Sequence, residues 1–182
     1  NIAVHSDMIT WHKDDKIEDA ALQVLNTIFG VTQVSKMLSE MSNQELKMLA
    51  FWLDFERKNR KVLQQSALIP YEPHFLYPVI KACDENEEII AVYANDKIIT
   101  PDPARCRTQL INACWQKKLT LRITEPVKYA IRTYACTGHC VYSDVTAFQE
   151  GLQEAVRYIM HDLLHDEPIR QYTPREENSE EF

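Results

Sequence analysis

Gly30, Gly138 and Gly151 are the only three glycines in this chain of 182 residues. Phosphate-cradling loops need several glycines at fixed offsets, because the backbone must approach the phosphate closely and turn through positive φ. Neither a P-loop nor a dinucleotide fingerprint can be written with three, which excludes most nucleotide-dependent enzymes. The apolar share, 45%, is that of a globular chain. At this length one compact domain, or two small ones sharing a core, folds without disulfide staples.

The five cysteines, Cys83, Cys106, Cys114, Cys136 and Cys140, are odd in number and irregular in spacing. A secreted disulfide framework reads as a dense, even set, so these thiols are expected to be reduced. No N-x-S/T sequon occurs, and a cytoplasmic or nuclear location is expected. No apolar run approaches the ~18 residues that span a bilayer, so no membrane association is expected. The start, "NIAVHSDMITWHKDD", has neither an initiating Met nor a signal-like apolar core, and a segment preceding Asn1 is expected.

The net charge of −7 is unevenly placed. Residues 1–20 and 166–182 are acidic, whereas 105–132 carries Arg105, Arg107, Lys117, Lys118, Arg122, Lys128 and Arg132 against Glu125 alone. A neutral middle with one basic sector and two acidic ends tells more than the sum.

Apolar periodicity predicts a helix over 17–29, with Ile17, Ala20, Ala21, Val24, Leu25, Ile28 and Phe29 on one face and Gly30 after its end. A shorter helix is expected over 32–41, with Val34, Met37, Leu38 and Met41 inward. Ser42 and Glu45 form a capping box that opens a long, central helix over 43–66. Met37, Met41, Met48, Trp52 and Phe55 are most simply core; a groove for a partner helix is the sharper reading. Pro70, Pro73 and Pro78 predict an extended connector leading into a short helix at 78–83. Residues 87–100 read as a hairpin around Asn95-Asp96. Asp102 and Pro103 predict a helix to Lys117, and 119–124 and 127–135 alternate as a pair of strands. A last helix is expected over 145–165, with Phe148, Leu152, Val156, Ile159 and Leu163 inward.

The expected fold is α+β: a helical N-terminal half packed with a small antiparallel sheet and two covering helices. The expected organisation is a helical subdomain over 1–69, an α+β subdomain over 70–168, and a disordered acidic tail over 169–182.

Three constellations carry chemistry. Cys136 and Cys140 flank a turn at Gly138, and His161 and His165 stand i, i+4 on the predicted last helix. Together they supply the ligand types of a structural zinc site, with His139 as an alternative. The competing reading is a buried strand cysteine, a small filler and two surface histidines favoured by the helix dipole. A thiol nucleophile would need a base within reach, and His139 beside Cys140 is badly placed to serve. Finally, Arg122, Lys128 and Arg132 fall on the outer face of the predicted strand pair, with Tyr134 beside them. Arg105, Arg107, Lys117 and Lys118 would extend this into a surface for single-stranded nucleic acid or an acidic partner. A solvated face is the plainer alternative.

The expectation is therefore a non-enzymatic, intracellular interaction or regulatory domain that binds protein. The alternative is a nucleic-acid-binding regulator using 105–134, with or without structural zinc. A homo-oligomer fits the apolar helical half equally well.

Overall fold

The computed structural model describes residues 5–6, 8–115, 118–156 and 160–165, with side chains as far as residue 153. Helix α1, Ile17–Leu25, buries Ala20, Ala21, Val24 and Leu25, the stripe its spacing dictates. Helix α2, Asn43–Lys58, opens at Ser42 with the capping box: the Ser42 hydroxyl accepts from the Glu45 amide, and the Glu45 carboxylate accepts from the Ser42 amide. The single helix expected over 43–66 breaks at Asn59, whose side-chain amide donates to the Phe55 carbonyl at 2.9 Å. That side-chain bond competes with the helical ladder. Helix α3, Arg60–Gln65, resumes after it.

No helix forms over 32–41 beyond a 3-10 turn at Leu38–Glu40, and Met37 and Leu38 are exposed. The backbone there is engaged elsewhere. The Ser6 and Ile9 amides donate to the carbonyls of Val31 and Gln33, and Ser35 donates back to Ile9. A pattern of about ten residues is marginal as a helix, and these tertiary bonds displace it.

The described residues form ten strands: β1 Ala67–Tyr71, β2 Val79–Cys83, β3 Glu87–Val92, β4 Ile98–Ile99, β5 Arg107–Asn112, β6 Lys118–Ile123, β7 Val127–Tyr134, β8 Cys140–Phe148, β9 Gly151–Val156 and β10 Met160–His165. They build a seven-stranded sheet in the order β1-β2-β3-β5-β10-β7-β8 and a three-stranded sheet in the order β4-β6-β9. Pairing is antiparallel except for β3 with β5 and β4 with β6. β10 lies in the middle of the larger sheet, bonded to β5 on one side and β7 on the other.

Alternation along the strands places the core. On β3, Ile89 and Ala91 join the helices in one cluster, together with Ala82 and Ile111. Ile90 and Val92 face the other way and meet Leu119, Leu121 and Ile123 of β6, Tyr129 and Ile131 of β7, and Leu110. Helices thus cover one face of the larger sheet and the smaller sheet covers the other, a three-layer solution.

The α+β class holds, with mixed sheets and α-helices confined among the described residues to Ile17–Gln65. Several elements differ from expectation. The helix expected to Lys117 is β5, the helix expected at 78–83 is β2, and the covering helix over 145–165 is β8, β9 and β10. The small antiparallel sheet with two covering helices is replaced by two sheets. β3 and β4 do not form a hairpin, and β6 and β7 do not pair, because each of these couples divides between the two sheets. The boundary expected between 69 and 70 falls inside β1, and residues 169–182 lie outside the described residues.

Candidate interaction surface

β1 ends the larger sheet, with β2 as its neighbour on one side, and all five of its residues are exposed. Pro70 stands in it. Proline has no amide hydrogen and within sheets keeps to edges, where it also blunts pairing with a further strand. The chain then turns through Glu72 (φ 49°), a 3-10 turn at Pro73–Phe75, Leu76 (φ 59°) and Tyr77 (φ 56°) before entering β2. Left-handed backbone costs a side-chain-bearing residue about 1–2 kcal/mol, and none of the three glycines stands here to avoid it. Lys97 helps hold the loop. Its ammonium is 2.6 Å from a Glu72 carboxylate oxygen and 5.8 Å from the centre of the Phe75 ring.

The result is an apolar edge. Leu68, Ile69, Tyr71, Phe75, Leu76 and Tyr77 are all exposed, Phe75 at 66% and Leu76 at 87%. At ~200 Å² for a large aromatic side chain and less for an aliphatic one, the exposed parts of the six sum to roughly 550 Å². On β1 that area is divided between two faces, since Leu68 pairs with Ala82 whereas Ile69 and Tyr71 pair with Lys81 and Val79. The largest apolar patch on an ordinary monomer is about 300–600 Å². Sequence reasoning passed this stretch over as a proline-rich connector. The signal was present, since a solvated connector has no use for six large apolar residues in eleven positions.

The predicted site residues are placed as follows. The stretch "ACTGHC" is the β7–β8 turn, closed by its own backbone: Gly138 donates to the Ala135 carbonyl and Ala135 to the His139 carbonyl, both at 2.9 Å. Cys136 is buried, and that burial, with Glu18 nearby, pushes its thiol up to about 11. Cys140 is exposed and its thiol donates to the Tyr142 carbonyl at 3.3 Å. His161 and His165 occupy β10, in register with Thr133 and Tyr129. The helical proximity expected for the two histidines is therefore corrected, since four residues along a strand span ~13 Å. Their side chains lie outside the described residues. Among the described residues no group of three His, Cys, Asp or Glu side chains is arranged to hold a metal.

The basic sector divides. Arg105 pairs with Asp102 at 3.0 Å and donates to the Asp84 carbonyl, and Arg107 stands 4.0 Å from Glu87. These two brace the start of β5. Lys118 and Arg122 are exposed on β6 in the smaller sheet. Lys128 and Arg132 are exposed on β7 in the larger one, on the face opposite Tyr129 and Ile131. Tyr134 packs partly buried with its ring centre 6.0 Å from that of Phe51. Lys117 lies outside the described residues. The single basic face expected from a β6–β7 pair is not formed, because those strands belong to different sheets.

The sequence matches no protein-family model, no curated protein and no solved structure. Among the described residues no helix is long and apolar enough to cross a membrane.

Proposed function

We propose that this chain is a non-enzymatic interaction domain that binds protein through the edge formed by β1 and residues 72–77. The observation that carries the reading is the apolar area on that edge, at the upper end of the largest patch an ordinary monomer leaves in water, a size at which such patches are often functional. The loop adds to it. Left-handed backbone at Leu76 and Tyr77 and exposure of their side chains are both unfavourable in an isolated chain, and burial against a partner offsets them. The scarcity of glycine, which rules out phosphate-cradling loops, agrees with a binding role.

The test is binding with and without the edge. Proteins cross-linked to the wild-type chain are identified, purified and titrated directly against wild type and against Phe75→Ser. Phe75→Ser should weaken binding by about tenfold or more while the chain stays folded. Affinity indifferent to Phe75→Ser would sink the reading. Titration of single-stranded RNA at rising salt addresses the alternative: steep, salt-dependent affinity that responds to charge reversal at Arg122 or Arg132 would favour nucleic acid.

A further inference from the structure

We infer that Lys81, Glu88 and Thr108 form a register lock: they select, among the pairings of β3 with β5 that apolar burial allows, the one in the structure.

The strands themselves leave the choice open. β3 is buried without a break from Glu88 to Val92, and β5 from Thr108 to Asn112. Register is strongly specified where one face of a strand is apolar and the other polar, because a slip then exposes the wrong residues. Here a slip by two residues keeps every side chain on its own face, and both faces are buried. The connection does not decide either. β2 and β3 are joined by a short turn in which an Asp84 carboxylate oxygen accepts from the Asn86 and Glu87 amides, both at 2.9 Å. That turn sets their register locally. β3 and β5 are parallel and joined by residues 93–106, a crossover with slack for the ~7 Å of a two-residue slip.

Glu88 is where the pairing is read. Its side chain is fully buried, and Thr108 stands directly opposite it. One carboxylate oxygen accepts from the Thr108 hydroxyl at 2.8 Å and from the Asp102 amide at 2.7 Å. The other meets the Lys81 ammonium, which reaches diagonally from β2. Pro101 and Pro103 flank Asp102, so the crossover has one amide hydrogen to offer over 101–103, and Glu88 takes it. A slip by two would set Cys106 or Leu110 opposite Glu88 and carry the Thr108 hydroxyl out of reach. A buried carboxylate stripped of its hydrogen bonds costs far more than an apolar mismatch. A buried ion pair adds little net stability, because desolvation offsets the attraction within it. Discrimination between registers is what this one contributes.

The test replaces the whole polar set with apolar side chains of similar shape, as Lys81→Met, Glu88→Leu and Thr108→Val together in the full chain. Urea melts read stability. The backbone amide spectrum, with cross-strand contacts between β3 and β5, reads register. The triple variant should fold, with a urea midpoint within ~1 M of wild type. Its β3 and β5 amides should each give two or more peaks, or broaden beyond detection, where wild type gives one set. Glu88→Leu alone leaves the Lys81 ammonium inside without its carboxylate, so its midpoint should fall below that of the triple variant. A triple variant with one set of peaks and Ile90 still opposite Leu110 overturns the inference, since burial alone would then set the register. A triple variant that does not fold also overturns it, because the three residues would then be a source of stability. A midpoint for Glu88→Leu above that of the triple variant would show that the charges are not coupled, and overturns it as well.

Discussion

Gly138 and Glu45 show how single residues fix the joins between layers. Gly138 sits at φ 81° in the β7–β8 turn, and a Cβ built on it would lie 2.6 Å from Cδ2 and 2.9 Å from Cγ of Phe51 on α2. Glycine here answers both a backbone demand and a close approach, so Gly138→Ala should cost about 2–3 kcal/mol. Adding Phe51→Ala should relieve only the clash, leaving the strained φ; urea melts of the two single variants and the double variant measure that coupling. No coupling would mean that the turn does not rest on α2. Glu45 ties the N-terminal segment down. It accepts from Lys36 and from the Trp11 indole, each at 2.5 Å, and from the Ser42 amide at 2.6 Å. The Lys36 ammonium beside it outweighs the opposing effect of burial and, with Ser42 and Trp11, lowers the carboxyl from its ordinary 4.5 to about 2. A depressed carboxyl contributes stability that is full above pH 4.5 and lost as pH falls towards 2. Glu45→Gln should cost about 1–2 kcal/mol at pH 7. The gap from wild type should close as pH falls from 5 towards 2. Denaturation curves running parallel across that window would show that the charge of Glu45 contributes nothing.

At the scale of elements, local rules made some segments legible and tertiary pairing hid others. The stripe of α1, the capping box at Ser42 and Glu45, and the alternation of β6 and β7 are each written within a few residues, and each stands in the structure. The 145–165 segment misled because Phe148, Leu152 and Val156 are spaced by four. Four is near one helical turn but also an even number, so the spacing of Leu152 and Val156 fits the period of one strand, β9, equally well, while Phe148 ends β8. β5 misled because a central strand buried on both faces does not alternate: Thr108, Gln109, Leu110, Ile111 and Asn112 are all buried in succession. The candidate edge was hidden by its prolines, which describe the backbone of 70–78 correctly and say nothing of what its side chains meet. The placement of β10 carries a prediction. Ending the chain after residue 169 should leave the melting temperature within a few degrees, because 170–182 has no apolar periodicity to bury. Ending it after residue 158 removes the strand between β5 and β7 and strips the ladder from both, so that chain should not fold. Circular dichroism and thermal melts of the two truncations provide the check. A folded chain lacking β10 would refute this account of the sheet.

For the whole molecule, the question is whether the helical segment and the sheets are one folding unit or two. A boundary near residue 69 is natural from the sequence, since helical periodicity stops there and β-rich runs begin. The core cluster crosses it. Leu25, Met48, Trp52, Phe55, Val62 and Leu63 from the helices pack in one group with Ala82, Ile89, Ala91 and Ile111 from the sheet. The Tyr93 hydroxyl donates to the Leu25 carbonyl at 2.8 Å across the same junction, and burial there holds its pKa above the ordinary phenol value. Cutting at the boundary would expose one face of β2, β3 and β5 to water while leaving their other face packed on β6. Each large apolar side chain so exposed forfeits about 1.5–3 kcal/mol, and net stabilities of domains this size are only about 5–15 kcal/mol. A chain of residues 70–182 alone should therefore fail to fold, and the full chain should unfold in a single transition. Calorimetry reads this directly: one peak whose calorimetric and van't Hoff enthalpies agree, once the protein concentration is fixed so that self-association does not shift it. Two resolved transitions, or a soluble 70–182 fragment with a native β spectrum, would divide the molecule where its sequence pattern changes.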